Sequence, residues 1–156
     1  MEVSGTMRIV DADEVEAGAR SGRATLIQRT PTGFPSSVGH TAELPCDLHA
    51  LLIRRPRTTL FVEMADNALL DSGIFAGDVL VVDRALRPAY GAVVVVALDG
   101  ALLARHYCPD SDAIHLLPAH PDVAPISIRL RDHNRYQIWG VVTAAMHRLH
   151  ILAAYP

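Results

Sequence analysis

The side chains able to do chemistry are unevenly stocked in this chain. All 14 basic residues are arginines, and no lysine occurs among the 156 residues. Chemistry that needs a lysine amine as base, nucleophile or Schiff-base former is therefore excluded before any motif is read, because a guanidinium does not give up its proton. Two cysteines, Cys46 and Cys108, lack the pairing of a disulfide framework and the spacing of a zinc site, and read as ordinary thiols. Eight histidines invite a metal reading. His147 and His150 lie three apart and His115, His120 and His133 are scattered, so none joins a Cys/His/Asp cluster at ligand spacing. No metal and no other cofactor is expected. Arg54, Arg55 and Arg57 form the one basic knot, which a solvated helix end explains more simply than a contact to DNA or an acidic partner.

Those residues must be positioned by a single domain. Half the chain is apolar and 20% is charged, which supplies a sizeable core and argues against a disordered chain. The net charge of -3 gives no general drive toward nucleic acid, so direct binding to it is not expected. No basic region followed by an apolar run opens the chain, and the longest apolar run, Ala92 to Leu98, falls far short of the ~20 residues of a spanning helix. The expectation is a cytoplasmic protein that does not enter a membrane.

The first 30 residues differ from the rest. Asp11, Asp13, Glu14 and Glu16 form an acidic cluster among few apolar pieces, as in an arm that must dock to become ordered. Thr30 to Ser37 reads as a linker by its Pro, Gly and Ser content. The chain thus divides into an arm and linker, residues 1–32, and a β domain, residues 33–156. Asp47 to Ile53 has helical spacing behind an Asp cap. Thr58 to Met64, Val79 to Asp83, Gly91 to Leu98, Ala101 to Tyr107, Ala113 to Leu117, Ile126 to Leu130 and Tyr136 to Met146 read as strands. Asp99-Gly100 between two apolar runs supplies the positive φ angles of a tight hairpin turn. The expected class is mostly β, with one or two short helices and an N-terminal arm.

Several ordered motifs between Gly33 and Val142 resemble the LexA/UmuD family of self-cleaving proteins, and its UmuD branch most of all. Gly33-Phe34-Pro35-Ser36 is similar to the segment after the family's cleavage point, and Asp47-Leu48 with Leu51-Leu52-Ile53 to its short helix. Phe61-Val62 leads into the nucleophile loop. Gly73-Ile74, Gly77-Asp78 and Val82-Asp83 match the pattern G-I-x-x-G-D-x-x-x-V-D, Asp99-Gly100 the hairpin, and Gly140-Val141-Val142 the last strand. The resemblance implies the family's C-terminal peptidase β fold. It does not extend to a repressor's helix-turn-helix, for which the arm is too short.

The family attacks with a serine and takes the serine's proton with a lysine whose pKa an apolar site brings down. Where the family has Gly-Asp-Ser-Met, this chain has Asp66-Asn67-Ala68-Leu69, so Ala68 falls on the serine. Arg105 falls on the lysine, in the second strand of the hairpin. The peptidase dyad is therefore degenerate. The cleavage-like pair, Thr32 and Gly33, also departs from the family, since a β-branched residue follows Pro31 where a small one belongs. Ser72 and His106 could replace the dyad only through both a loop shift and a register slip, because neighbours on a strand point to opposite faces. They read as a loop serine and an exposed strand histidine. Arg105, in a largely apolar strand, must find a polar partner; Glu63, Asp66 and Asp71 are the carboxylates in reach, or the guanidinium turns out to solvent.

The resemblance then implies a catalytically inactive, homodimeric protein-interaction module of the SOS DNA-damage response, accessory to translesion synthesis, with a RecA–DNA filament and a Y-family DNA polymerase as partners. The rival readings are an active self-cleaving serine peptidase, with Ala68 an engineered change or another nucleophile in use, and a phage or plasmid antirepressor that pairs with a LexA-like protein.

Overall fold

A computed structural model describes residues 7–10 and 48–149. The cleavage-like Thr32 and Gly33, the linker, the acidic cluster and the Asp47 cap lie outside them. After β1 (Arg8–Val10) and a short helix α1 (Leu48–Leu52) come β2 (Thr59–Glu63), β3 (Val79–Asp83), β4 (Val93–Leu98), β5 (Ala101–Pro109), β6 (Ala113–Leu117), β7 (Ile126–Arg129) and β8 (Tyr136–Met146). Single 3-10 turns lie at Leu70–Ser72 and, in two kinked pieces, at Leu130–Arg135. The domain is mostly β, and every strand pairs antiparallel in one eight-stranded sheet of order β1-β2-β3-β8-β4-β5-β6-β7.

The apolar runs that make these strands are unbroken because both faces of the sheet are covered. Val95 packs with Met7, Val62, Met64, Leu69, Ile74, Leu80, Val82 and Ala104. Its neighbours Val94 and Val96 pack on the other side with Leu98, Leu103, Ile114, Leu116 and Ile128. A single sheet buries both its faces by curling, and the strand that allows this is β8. It lies between β3 and β4, and its register slips against each of them: between Val81 and Val82 on one side and between Val95 and Val96 on the other. A bulge of this kind adds twist and bends the strand.

Gly140 stands between the two slips. A Cβ there would lie 2.8 Å from the Asp83 carbonyl oxygen and 2.8 Å from a Val82 methyl. The close crossing of β8 over the end of β3 therefore depends on the absent side chain. At the β4–β5 turn, Asp99 (φ 48) and Gly100 (φ 87) take the positive angles of a primed turn. Arg135 grips the Asp99 carboxylate through both Nε and Nη2. Within the arm, β1 adds to the free edge of β2, and Met7 is buried in the core beneath the Met64–Ile74 loop.

Replacing Gly140 with Ala forces backbone or Val82 to move, so unfolding free energy should fall by about 1–3 kcal/mol, the usual cost of overpacking. Urea unfolding measures it, and a midpoint equal to the parent's contradicts the close-approach account.

Candidate functional site

The site forms where the loop between β2 and β3 folds over the ends of β5 and β6. The loop is closed at its base by two backbone bonds: the Met64 N–H donates to the Asp78 carbonyl and the Gly77 N–H to the Met64 carbonyl. Gly73 (φ 77) ends the 3-10 turn and Gly77 (φ 88) starts the return, angles that favour glycine. Asp78 is buried, and its Oδ2 accepts the Phe75 N–H. Its Oδ1 meets His147, beyond the end of β8, whose ring also packs against Phe75. Asn67 Oδ1 accepts the Ala76 N–H across the loop. On the far side, the Ala119 N–H donates to the Ala68 carbonyl, and the Asp71 N–H donates to the Ala119 carbonyl. The loop is thus fastened on three sides.

Ala68 lies inside this frame, fully buried, and Arg105 of β5 reaches the same loop. The Arg105 side chain is 5% exposed and ion-paired with the Asp66 carboxylate at 3.2 Å. Its Nη1 donates to the carbonyl of its own neighbour, Ala104, at 2.7 Å, while its Nε finds no partner among the described residues. Asp66 is shared: Oδ2 takes Arg105, and Oδ1 takes the Ala68 N–H at 3.0 Å. Of the other two carboxylates in reach, Glu63 is half-buried on β2, and Asp71 is exposed in the 3-10 turn.

Ala68 carries no nucleophile, Arg105 cannot accept a proton, and the Ala68 N–H is occupied. A backbone N–H at the nucleophile position is a usual donor to the developing oxyanion in serine acyl transfer, so Asp66 also removes an electrostatic contributor. At Ala68 and Arg105 themselves, then, there is no hydroxyl nucleophile and no neutral base, and the Ala68 N–H is already donated to Asp66.

The chain matches the model of the family described as Peptidase S24-like over residues 25–143. The chain belongs to that family. It is 34% identical over 123 residues to Protein SamA of Salmonella typhimurium, covering 78% of this chain and 82% of that one. Protein ImpA of Escherichia coli is 32% identical over 130 residues (81% and 84% covered), and Protein MucA of the same species 31% over 120 residues (77% and 81%). The fold is thus that of the S24-like family, and the chain is a UmuD-like member of the LexA/UmuD group.

One expectation from the sequence is corrected. Ser72 and His106 meet without any slip of register: Oγ and Nε2 are 2.8 Å apart, and His106 Nδ1 lies 2.9 Å from the Gly91 carbonyl. Strand alternation fixes where a Cβ points, not where the head of a long side chain ends. Arg105 curls back over the Ala104 carbonyl, leaving the imidazole next to it free to reach the loop's edge. Two further histidine contacts carried no signal in the sequence read by itself. His115 bonds Asp110 through Nε2 and Ser127 through Nδ1. Only the strand register, which pairs His115 with Ser127 across β6 and β7, brings these together. Among the described residues, no group of three or more His, Cys, Asp or Glu is arranged to hold a metal ion. None of the helices there is long and apolar enough to cross a membrane. In the basic knot, Arg55 is spent on the Asp83 carboxylate at 2.9 Å. Burial alone would raise the Asp83 pKa, but the Ala85 N–H, Arg55 and Thr58 together hold it below the ordinary value.

The buried ion pair is asymmetric, and this sets a test. Asp66→Ala leaves a guanidinium that is 5% exposed without its counter-charge and should cost about 3 kcal/mol in urea unfolding. Arg105→Leu removes the buried charge itself and leaves Asp66, 27% exposed, able to turn to water, so it should cost under about 1 kcal/mol. It should also speed hydrogen exchange from Asp66 to Asp71. Equal costs for the two variants contradict the account.

A second test uses pH. The hydrogen bond from His115, with those from the Asp112 and Ala113 N–H groups, lowers Asp110 from 3.8 to about 2. A depressed carboxyl contributes its stability in full above the unfolded value and loses it as pH falls through the folded one. Melting temperature should therefore fall more steeply from pH 3.8 to about 2 in the parent than in Asp110→Asn. Superimposable acid limbs refute the linkage.

Proposed function

We propose that this chain is a peptidase-inactive, UmuD-like interaction module of the SOS DNA-damage response, accessory to translesion DNA synthesis. One observation carries the loss of cleavage: Ala68 and an ion-paired Arg105 occupy the paired dyad positions, with the Ala68 N–H held by Asp66. Family membership and the similarity to SamA, ImpA and MucA support the setting. The frame of the loop is kept while its chemistry is gone, which fits a protein retained for its surfaces. Leu48, Leu51 and Tyr90 are large apolar side chains left exposed, of the kind that a partner covers.

In this reading the protein works in the cytoplasm as a homodimer that engages a RecA–DNA filament and a Y-family polymerase. Because the arm is not removed by the chain itself, the module stays in one state, as a permanent accessory subunit or a blocking partner for a cleavable relative.

Incubation at alkaline pH, or with RecA–DNA filaments, should leave the Thr32–Gly33 bond intact in intact-mass spectra. Ala68→Ser by itself should stay uncut as well, since a serine beside a guanidinium still has no base. A fragment beginning at Gly33 overturns the reading. Light scattering at micromolar concentration should give a dimer, as expected of an interface above ~1,000 Å²; a monomer counts against the module as described.

A further inference from the structure

Outside the emptied dyad, the loop carries a second constellation, Ser72, His106 and the Gly91 carbonyl. Its hydrogen positions follow from elementary chemistry. A carbonyl can only accept, so the His106 nitrogen facing Gly91, Nδ1, bears the hydrogen. In the neutral ring Nε2 is then the acceptor, and it lies 2.8 Å from Ser72 Oγ. The hydroxyl therefore donates to an imidazole whose tautomer is fixed from behind, the arrangement that activates a serine nucleophile. The orienting carbonyl is itself held. Gly91 (φ 80) donates its N–H to Tyr107, and Tyr107 donates to Ala92, tying that turn to β5 on the residue after His106. Ser72 is exposed at the loop's rim, where the 3-10 turn ends, and His106 is half-buried behind it.

We propose that Ser72 and His106 form a nucleophile–base pair that accepts acyl groups from activated carboxylic esters, independently of the positions of Ala68 and Arg105. Ser72 Oγ attacks the ester carbon while its proton passes to His106 Nε2. The bond to the leaving oxygen breaks, and that oxygen takes the proton from Nε2. Water then attacks the acyl-serine, again giving a proton to Nε2. The bond from carbon to Oγ breaks and Ser72 regains the proton, so ester and water become acid and alcohol. The site is bounded in strength. The N–H groups of Leu70, Asp71, Ser72, Gly73 and Ile74 all donate to carbonyls, leaving none of them for an oxyanion. Good leaving groups are therefore the substrates, and peptide bonds are not.

The inference does not rest on the proposed function, and its test is separate. The full chain is treated with a fluorophosphonate probe and with p-nitrophenyl acetate, and adducts are located by peptide mass spectrometry. Adducts should form on Ser72 and vanish in Ser72→Ala. In His106→Gln the rate should drop about a hundredfold, within the range of general-base catalysis. The rate should depend on pH in the parent, and that dependence should be lost in His106→Gln. Both side chains lie at the loop's rim, so unfolding midpoints close to the parent's are required of the variants before rates are compared. Labelling on Ser127 in place of Ser72, labelling no faster than in urea-unfolded protein, or a His106→Gln rate equal to the parent's each overturns the proposal. Cleavage at Thr32–Gly33 would count against the proposed function and not against this pair.

Discussion

A guanidinium cannot shed its proton, and this chain buries one beneath its most important loop. An arginine at a site where a lysine could titrate must be compensated permanently, because an uncompensated buried charge costs several kcal/mol of a total stability of only about 5–15 kcal/mol. Asp66 meets that demand, and in doing so it takes the Ala68 N–H as well. One carboxylate therefore links the strand that would bear a base to the backbone that would bear a nucleophile. The same carboxylate that makes the buried arginine tolerable also fixes the backbone of the loop at Ala68.

The loop can lie there because of the way the sheet is curled. The two register slips flanking Gly140 bend β8, and the bend lets β3 on one side and β4 and β5 on the other bury both faces. β5 then passes beneath the loop, and Ala119, just beyond β6, pairs with the carbonyl of Ala68 and the N–H of Asp71. The empty Cβ position of Gly140 and the placement of Arg105 are parts of one arrangement, separated along the chain but joined through β4 and β8.

The strands were legible where burial dictates composition. Val79 to Asp83, Ala113 to Leu117 and Tyr136 to Met146 run to the same ends in the structure as in the reading of the sequence, and Asp99-Gly100 turns with both φ angles positive. The site was less legible, because contacts there depend on where long side chains end. For Arg105, sequence gave three carboxylates in reach; the choice among them depends on the backbone of the loop. For His106, the alternation rule gave the wrong answer, since it describes the pleat and not an imidazole reaching past the end of it. The contacts of His115 needed the pairing of β6 with β7, which no local pattern encodes.

The motif that marks the family explains why its presence says so little about catalysis. Gly73 and Gly77 are where the loop needs positive φ, and Asp78 is where a buried carboxylate holds the Phe75 N–H. These residues build the loop. The loop needs their backbone angles and contacts whether or not a reaction occurs within it. The two positions on which the resemblance places the family's dyad, by contrast, hold residues that the frame accommodates: the Ala68 methyl is buried in the loop, and the Arg105 guanidinium fits with Asp66 opposite. The frame of the loop therefore stands without a serine or a lysine at those two positions. The loop's edge holds the Ser72–His106 pair on the same rigid frame, apart from Ala68 and Arg105.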